Sequence, residues 1–132
     1  MAILLDTPGT PVSSAGAIGG SIPTNAIPAT PVSATAAANT AVVVTVNGVV
    51  FQTLRLMSLS GSYNAAPTGG VLTVVVNGVT LIQADITAAG LFTIPLPDGG
   101  LVCQSGQNIV ITLSAAGAAV TGRLNVSTQT GN

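Results

Sequence analysis

The chain has 132 residues, only 4% of them charged, and its formal net charge is −1. This length suits one domain, and two basic residues, Arg55 and Arg123, are too few for nucleic-acid binding or electrostatic membrane attachment. The sequence has no histidine and one cysteine, Cys103, which excludes histidine-based catalysis, a zinc-binding cysteine cluster and an internal disulfide.

Residues 1–40 form the first predicted unit, an extended arm that is not globular. They contain five of the eight prolines, and proline fixes φ, removes a hydrogen-bond donor and disfavours helix at the preceding residue. Single aliphatic side chains are spaced among the prolines and small residues. We predict that these side chains anchor the arm in grooves of a partner protein: Ile3, Leu4, Leu5, Ile18, Ile22, Ile27 and Val32. The alternative is a flexible tail with incidental aliphatics.

The sequence contains no recognisable export signal or membrane-spanning helix. The first six residues include no basic side chain, and Pro8 follows shortly after them, whereas a secretory signal begins with a basic region. The richest apolar run, residues 41–51, is interrupted by Thr45 and by Asn47-Gly48 and is shorter than the ~20 residues that a span needs. We therefore expect a protein that is made without export and that binds no membrane.

Residues 41–132 form the second predicted unit, an all-β domain. An Asn-Gly pair follows a β-branched run twice, at Asn47-Gly48 and at Asn77-Gly78. Because both central residues of a type I′ turn need positive φ, each Asn-Gly pair predicts a tight hairpin. A loop is predicted over residues 61–70.

The remaining strands are short and are separated by turn residues. Residues 91–94 and Leu101–Cys103 are predicted strands, and residues 108–114 alternate with Ile109, Ile111 and Leu113 on one face. The last strand, over residues 118–127, directs three side chains inward: Val120, Leu124 and Val126. Seven or eight strands without helical periodicity predict a single antiparallel β-sandwich or jelly-roll-like domain. We expect three further side chains in its core: Phe51, Phe92 and Cys103.

The acidic residues do not suggest a catalytic or metal site. Asp6, Asp85 and Asp98 are far apart in the sequence, and no glutamate is present. A glycosidase needs a close carboxylate pair, and a calcium site usually needs clustered acidic or amide ligands. We therefore expect no enzymatic activity and no cofactor. Calcium bound mainly by carbonyl oxygens is the alternative.

Charged and aromatic side chains give two further candidate contacts. Arg55, Arg123 and Asp85 each interrupt a strand pattern, either because they point outward or because Arg55 pairs with Asp85 to fix strand register or to bridge subunits. Tyr63 is predicted in the loop over residues 61–70, where it is a candidate contact for a glycan. The scarcity of aromatics and the absence of tryptophan disfavour a glycan-binding platform.

Several turn and strand motifs resemble a known group of proteins. They are Ser-Tyr-Asn-Ala-Ala-Pro-Thr-Gly-Gly at residues 62–70, Ala-Asp-Ile-Thr-Ala-Ala-Gly at 84–90, Leu-Ser-Ala-Ala-Gly at 113–117 and Val-Thr-Gly-Arg-Leu-Asn-Val at 120–126. This succession is similar to small β-sandwich structural proteins of tailed bacteriophages, of the capsid cement or decoration type. The resemblance covers residues 54–127 and does not include the arm.

The resemblance implies a non-enzymatic virion protein that is made in the host cytoplasm and attached to the capsid surface. Its expected partners are the major capsid protein and further copies of itself, as a homotrimer or homodimer. An arm of this kind stabilises contacts between capsomers by adding to a strand edge or by placing aliphatics in grooves. Two alternatives remain, a tail or fibre component and a surface module that binds a glycan or receptor.

Overall fold

The computed structural model describes residues 30–131, which form nine strands and no helix. In chain order the strands are β1 (Thr30–Thr35), β2 (Val42–Val46), β3 (Thr53–Tyr63), β4 (Gly70–Val76), β5 (Val79–Ile86), β6 (Gly90–Thr93), β7 (Leu101–Cys103), β8 (Ile109–Leu113) and β9 (Gly122–Gly131).

Two antiparallel sheets pack face to face. Sheet A has the order β1-β9-β3-β6, with β7 also paired to β3, and sheet B has the order β2-β8-β4-β5. The pairs are nested in the sequence: β4 with β5, β3 with β6 and β7, β2 with β8, and β1 with β9. A long hairpin rolled up in this way is a jelly roll. The prediction of an all-β sandwich is confirmed.

Strands β6 and β7 share one position beside β3. Strand β6 pairs with the second half of β3 and β7 with its first half. The chain between them contains Pro95 and Pro97, and proline donates no hydrogen bond to a sheet. One of the eight strand positions of the jelly roll is therefore split in two.

The core lies between the sheets and is aliphatic. Ile109, Ile111 and Leu113 are fully buried in β8, as their alternation predicts, and the inward side chains predicted near and in β9 are also buried: Val120, Leu124 and Val126. Burying one such side chain fully contributes about 1.5–3 kcal/mol. Phe92 is partly buried and packs against the core.

The two Asn-Gly pairs have different structures. Asn77 and Gly78 both have positive φ, at 50° and 79°, and they join β4 to β5 as the predicted hairpin. The hairpin predicted at Asn47-Gly48 is wrong, because β2 pairs with β8 and the next strand, β3, belongs to the other sheet. A Cβ atom at Gly48 would overlap the carbonyl oxygen of Gln107, so this glycine allows two backbones to approach closely.

Three predicted boundaries differ from the structure. The last strand, predicted over residues 118–127, is Gly122–Gly131, because a turn closed by a hydrogen bond from Val120 N to Gly117 O at 3.0 Å precedes it. Strand β1 falls within the predicted arm of residues 1–40, yet it pairs with β9 as an edge strand of sheet A. Strand β3 extends to Tyr63, so the first three residues of the predicted loop at 61–70 are part of a strand.

We call one end of the sandwich the apical end. It carries the loops at residues 47–52, 77–78 and 104–108, which contact one another through backbone hydrogen bonds from Asn77 N to Asn108 O (3.3 Å) and from Gly106 N to Val49 O (3.3 Å). Strand β1 begins at this end, because Thr30 lies opposite Thr128 near the end of β9.

Candidate functional site

The predicted arm anchors lie mostly outside the described residues. This applies to Ile3, Leu4, Leu5, Ile18, Ile22 and Ile27. Val32 is described, in β1 opposite Val126, and it is exposed at the sheet edge. Its role as an anchor for a partner stays a prediction, but its backbone is part of the sandwich.

Tyr63 is not a loop residue. It is the last residue of β3, its side chain is 2% exposed, and its hydroxyl donates a hydrogen bond to the carbonyl of Ser114 at 2.7 Å. A buried phenol with a backbone partner stabilises the fold. The side chain is therefore not available as a stacking platform for a sugar.

Arg55 and Asp85 are not brought together. Arg55 projects outward from β3 in sheet A, between the buried Leu54 and Leu56, and its Nη1 donates to the carbonyl of Gly99 at 3.2 Å. Asp85 is exposed on β5, the edge of sheet B. Because the two residues lie on the outer faces of opposite sheets, they form no ion pair within the chain. A pair between copies stays a prediction.

The most exposed aromatic side chain of residues 30–131 lies at the apical end. Phe51 is 88% exposed, and its neighbours Val49 and Val50 are exposed by 47% and 62%. We call residues 49–51 the apical tip. The prediction that Phe51 lies in the core is wrong, because the chain crosses from sheet B to sheet A here and residues 49–51 form part of that connection.

The backbone of the apical tip is strained and held by hydrogen bonds. Phe51 has a φ of 68°, a conformation that costs a bulky residue about 1–3 kcal/mol. Its N–H donates to Ser105 Oγ at 2.6 Å, and the carbonyl of Val49 accepts from Gln52 N and Gly106 N at 3.1 and 3.3 Å. An exposed phenylalanine held in a strained conformation does not help the fold, so we take Phe51 as a candidate contact residue.

Sequence reasoning missed the apical tip because a Val-Val-Phe run has the composition of a buried strand. The run follows Asn47-Gly48, which is typical of a hairpin turn. No local signal distinguishes a second hairpin strand from a connection between two sheets. The outcome depends on which strands pair, and β2 pairs with β8, more than 60 residues away.

A shallow polar depression lies at the opposite end of the sandwich, on sheet A. Its volume is about 410 Å³, and it is lined by Ser62, Tyr63, Asn64, Gly90, Thr121 and Arg123. The Asn64 side chain is held in place because its Oδ1 accepts a hydrogen bond from Thr121 N at 2.7 Å. Hydroxyl, amide and guanidinium groups in one depression are suited to binding a polar ligand.

Neither a metal cluster nor a membrane-spanning helix occurs in the described part of the chain. Residues 30–131 contain no group of three or more His, Cys, Asp or Glu side chains placed to bind a metal ion. Over the same range, no helix is long and apolar enough to cross a membrane.

No protein-family model matches the chain, and no curated protein matches it in sequence. The functional assignment therefore depends on the geometry and on the motifs of the chain itself.

Proposed function

We propose that the chain is a non-enzymatic structural protein of a virion, a capsid cement or decoration protein that stabilises contacts between capsomers. Its sequence motifs resemble those of small β-sandwich proteins of tailed bacteriophages. Jelly rolls are common in viral capsid and lectin domains, but one fold serves many functions. The proposal therefore depends on a feature of the surface.

That feature is the apical tip. Phe51 and Val50 present an apolar contact on a rigid loop, and β1 begins at the same end of the domain. We propose that the predicted anchors of the arm and the apical tip contact the same partner. Two linked contacts raise the effective affinity far above that of either alone.

Charge is scarce on both contact elements. Residues 1–29 and the apical tip together contain a single charged side chain, Asp6. Apolar burial is not weakened by screening, so we expect capsid binding to change little between low and physiological salt. The expected partner is the major capsid protein, with the chain acting as a homodimer or homotrimer.

The direct test is the location of the chain in virus particles. Particles from a lytically infected culture are purified on a density gradient, separated into heads and tails, and probed with an antibody raised against the purified chain. The proposal predicts that the chain fractionates with heads in a fixed ratio to the major capsid protein. Its presence in tails alone would favour the tail or fibre alternative, and its absence from particles would refute a virion role.

The polar depression at the opposite end favours the second candidate function, a module that binds a glycan or receptor. Because Tyr63 is buried, its substitution by alanine would test folding and not binding. Arg123 is exposed on the rim of the depression, and Arg123→Ser is the suitable variant. Glycan binding that is lost in Arg123→Ser and kept in Arg55→Ser, a change on the outer face of the same sheet, would support this alternative.

A further inference from the structure

An open jelly roll has four edge positions, and three of them carry features that discourage strand addition. Strand β1 contains Pro31. The position shared by β6 and β7 is split into strands of four and three residues. Strand β5 carries Asp85 and a register shift opposite Val74 and Val75. Proline, short length, charge and bulges are the means by which natural sheets avoid pairing with other strands.

The fourth edge, β2, has none of these features. Its sequence is Val-Val-Val-Thr-Val, without proline, glycine or charge, and its register with β8 is regular over all five residues. In an antiparallel strand, alternate residues direct their N–H and C=O groups away from the neighbour. Among the described residues, no backbone hydrogen bond from outside the sheet engages Val42–Val46, so β2 presents unpaired donors and acceptors.

We propose that β2 pairs with β2 of a second copy, antiparallel about a two-fold axis at Val44, to form a continuous eight-stranded sheet. In this register Val42 lies opposite Val46 of the second copy, and Val43 lies opposite Thr45. Val42 and Val44 face the core in each copy, so the apolar inner face continues across the axis. The proposal concerns the assembly of the chain and does not depend on the proposed function.

Strand β2 suits a copy of itself for two reasons. The absence of charge in Val42–Val46 means that no like charges meet at the axis, where they would oppose pairing. The outward pair, Val43 with Thr45, is formed twice by symmetry, and β-branched residues are favoured across paired strands. An interface of this kind is isologous, which closes at two copies.

The first test compares lysine substitutions at one exposed position on each edge of sheet B. Val43 on β2 and Leu81 on β5 are exposed by 54% and 48%. Light scattering after size-exclusion chromatography should give a dimer for the full chain and for Leu81→Lys. Val43→Lys should keep its thermal unfolding transition and raise the dimer dissociation constant at least about tenfold, because each lysine lies diagonal to its symmetry mate. A monomeric or trimeric wild type, or a Val43→Lys dimer of undiminished affinity, overturns the proposal.

The second test examines the register and distinguishes β2 pairing from the addition of another segment to the same edge. Opposite residues of an antiparallel pair have Cα atoms about 4.5–5.5 Å apart, within the range of a disulfide. Val43→Cys with Thr45→Cys in one chain should therefore give a covalent dimer on oxidation. Val43→Cys alone should give little, because it faces Thr45, and the native Cys103 is buried. Failure of the double variant to crosslink, or equal crosslinking by the single variant, refutes the symmetric pairing.

Discussion

The two Asn-Gly pairs provide a test of the fold, because the same dipeptide uses its glycine for different reasons. Gly78 needs a positive φ of 79°, and a Cβ atom there would meet nothing within 4 Å. Gly48 has no positive φ, but a Cβ atom there would overlap the Gln107 carbonyl oxygen and approach Gln107 N to 2.7 Å. Alanine at each position therefore has a different cost.

The two costs follow from these geometries. Alanine in the left-handed region costs about 1–2 kcal/mol, partly offset by about 0.4–1 kcal/mol from the less flexible unfolded chain, so Gly78→Ala should lose roughly 1 kcal/mol. At Gly48 the methyl group meets backbone, which cannot rotate away, and such overpacking costs about 1–3 kcal/mol. Movement of the loop also weakens the hydrogen bond from Gly48 N to Asn108 Oδ1, 2.8 Å long, for about 1 kcal/mol more.

With the same offset from the unfolded chain, Gly48→Ala should therefore lose roughly 1–3 kcal/mol, about 1–2 kcal/mol more than Gly78→Ala. The assay is urea unfolding of both variants and the wild type, followed by circular dichroism, with thermal unfolding as a second measure. For a domain of this size 1 kcal/mol corresponds to about 4–8 °C in Tm. If Gly48→Ala is as stable as Gly78→Ala, the close approach of residues 48 and 107, and with it the connection from β2 to β3, is wrong.

Three further predictions concern buried groups. Tyr63→Phe removes the donor to the Ser114 carbonyl and should lose about 1 kcal/mol in urea unfolding, so unchanged stability would contradict that hydrogen bond. Ile111→Ala should lose about 2–5 kcal/mol, because Ile111 is fully buried in β8. Burial raises the pKa of the Cys103 thiol in the folded state. The stability that the protonated thiol contributes is therefore complete below the ordinary thiol pKa, and it is lost as the pH rises through the higher pKa of the folded state. Unfolding at increasing alkaline pH should show this loss, and Cys103→Ala should reduce it.

The strands with clear alternation were predictable from the sequence. Ile109, Ile111 and Leu113 face one way because a strand alternates its side chains, and all three are buried. The hairpin at Asn77-Gly78 was also predictable, because its turn depends only on local backbone angles. These features need no knowledge of which distant strands pair.

The features that were not predictable depend on long-range pairing. Asn47-Gly48 has the same local signal as Asn77-Gly78, but β2 joins β8 and not its successor. Strand β1 lies within the predicted arm because Pro31 is not expected in a central strand. An edge strand, however, tolerates proline. Phe51 is exposed because residues 49–51, which have the composition of a strand, connect the two sheets and form the apical tip.

The apical tip can be tested separately from folding. Asparagine tolerates the left-handed conformation better than phenylalanine, so Phe51→Asn should match or exceed the wild type in thermal stability. Leu91→Asn is the matched control, because Leu91 is 75% exposed on β6, at the opposite end of the sandwich.

The most direct measurement of the central claim is the occupancy of heads by these variants in competition with the wild type. Labelled wild type and variant are mixed in equal amounts with purified heads from which the chain has been removed, and the bound ratio is measured after sedimentation. We predict that bound wild type exceeds bound Phe51→Asn at least about tenfold. Leu91→Asn and the wild type should be bound in equal amounts. Equal binding of Phe51→Asn, or a loss of the same size in both variants, would contradict the account of the apical tip as the capsid contact.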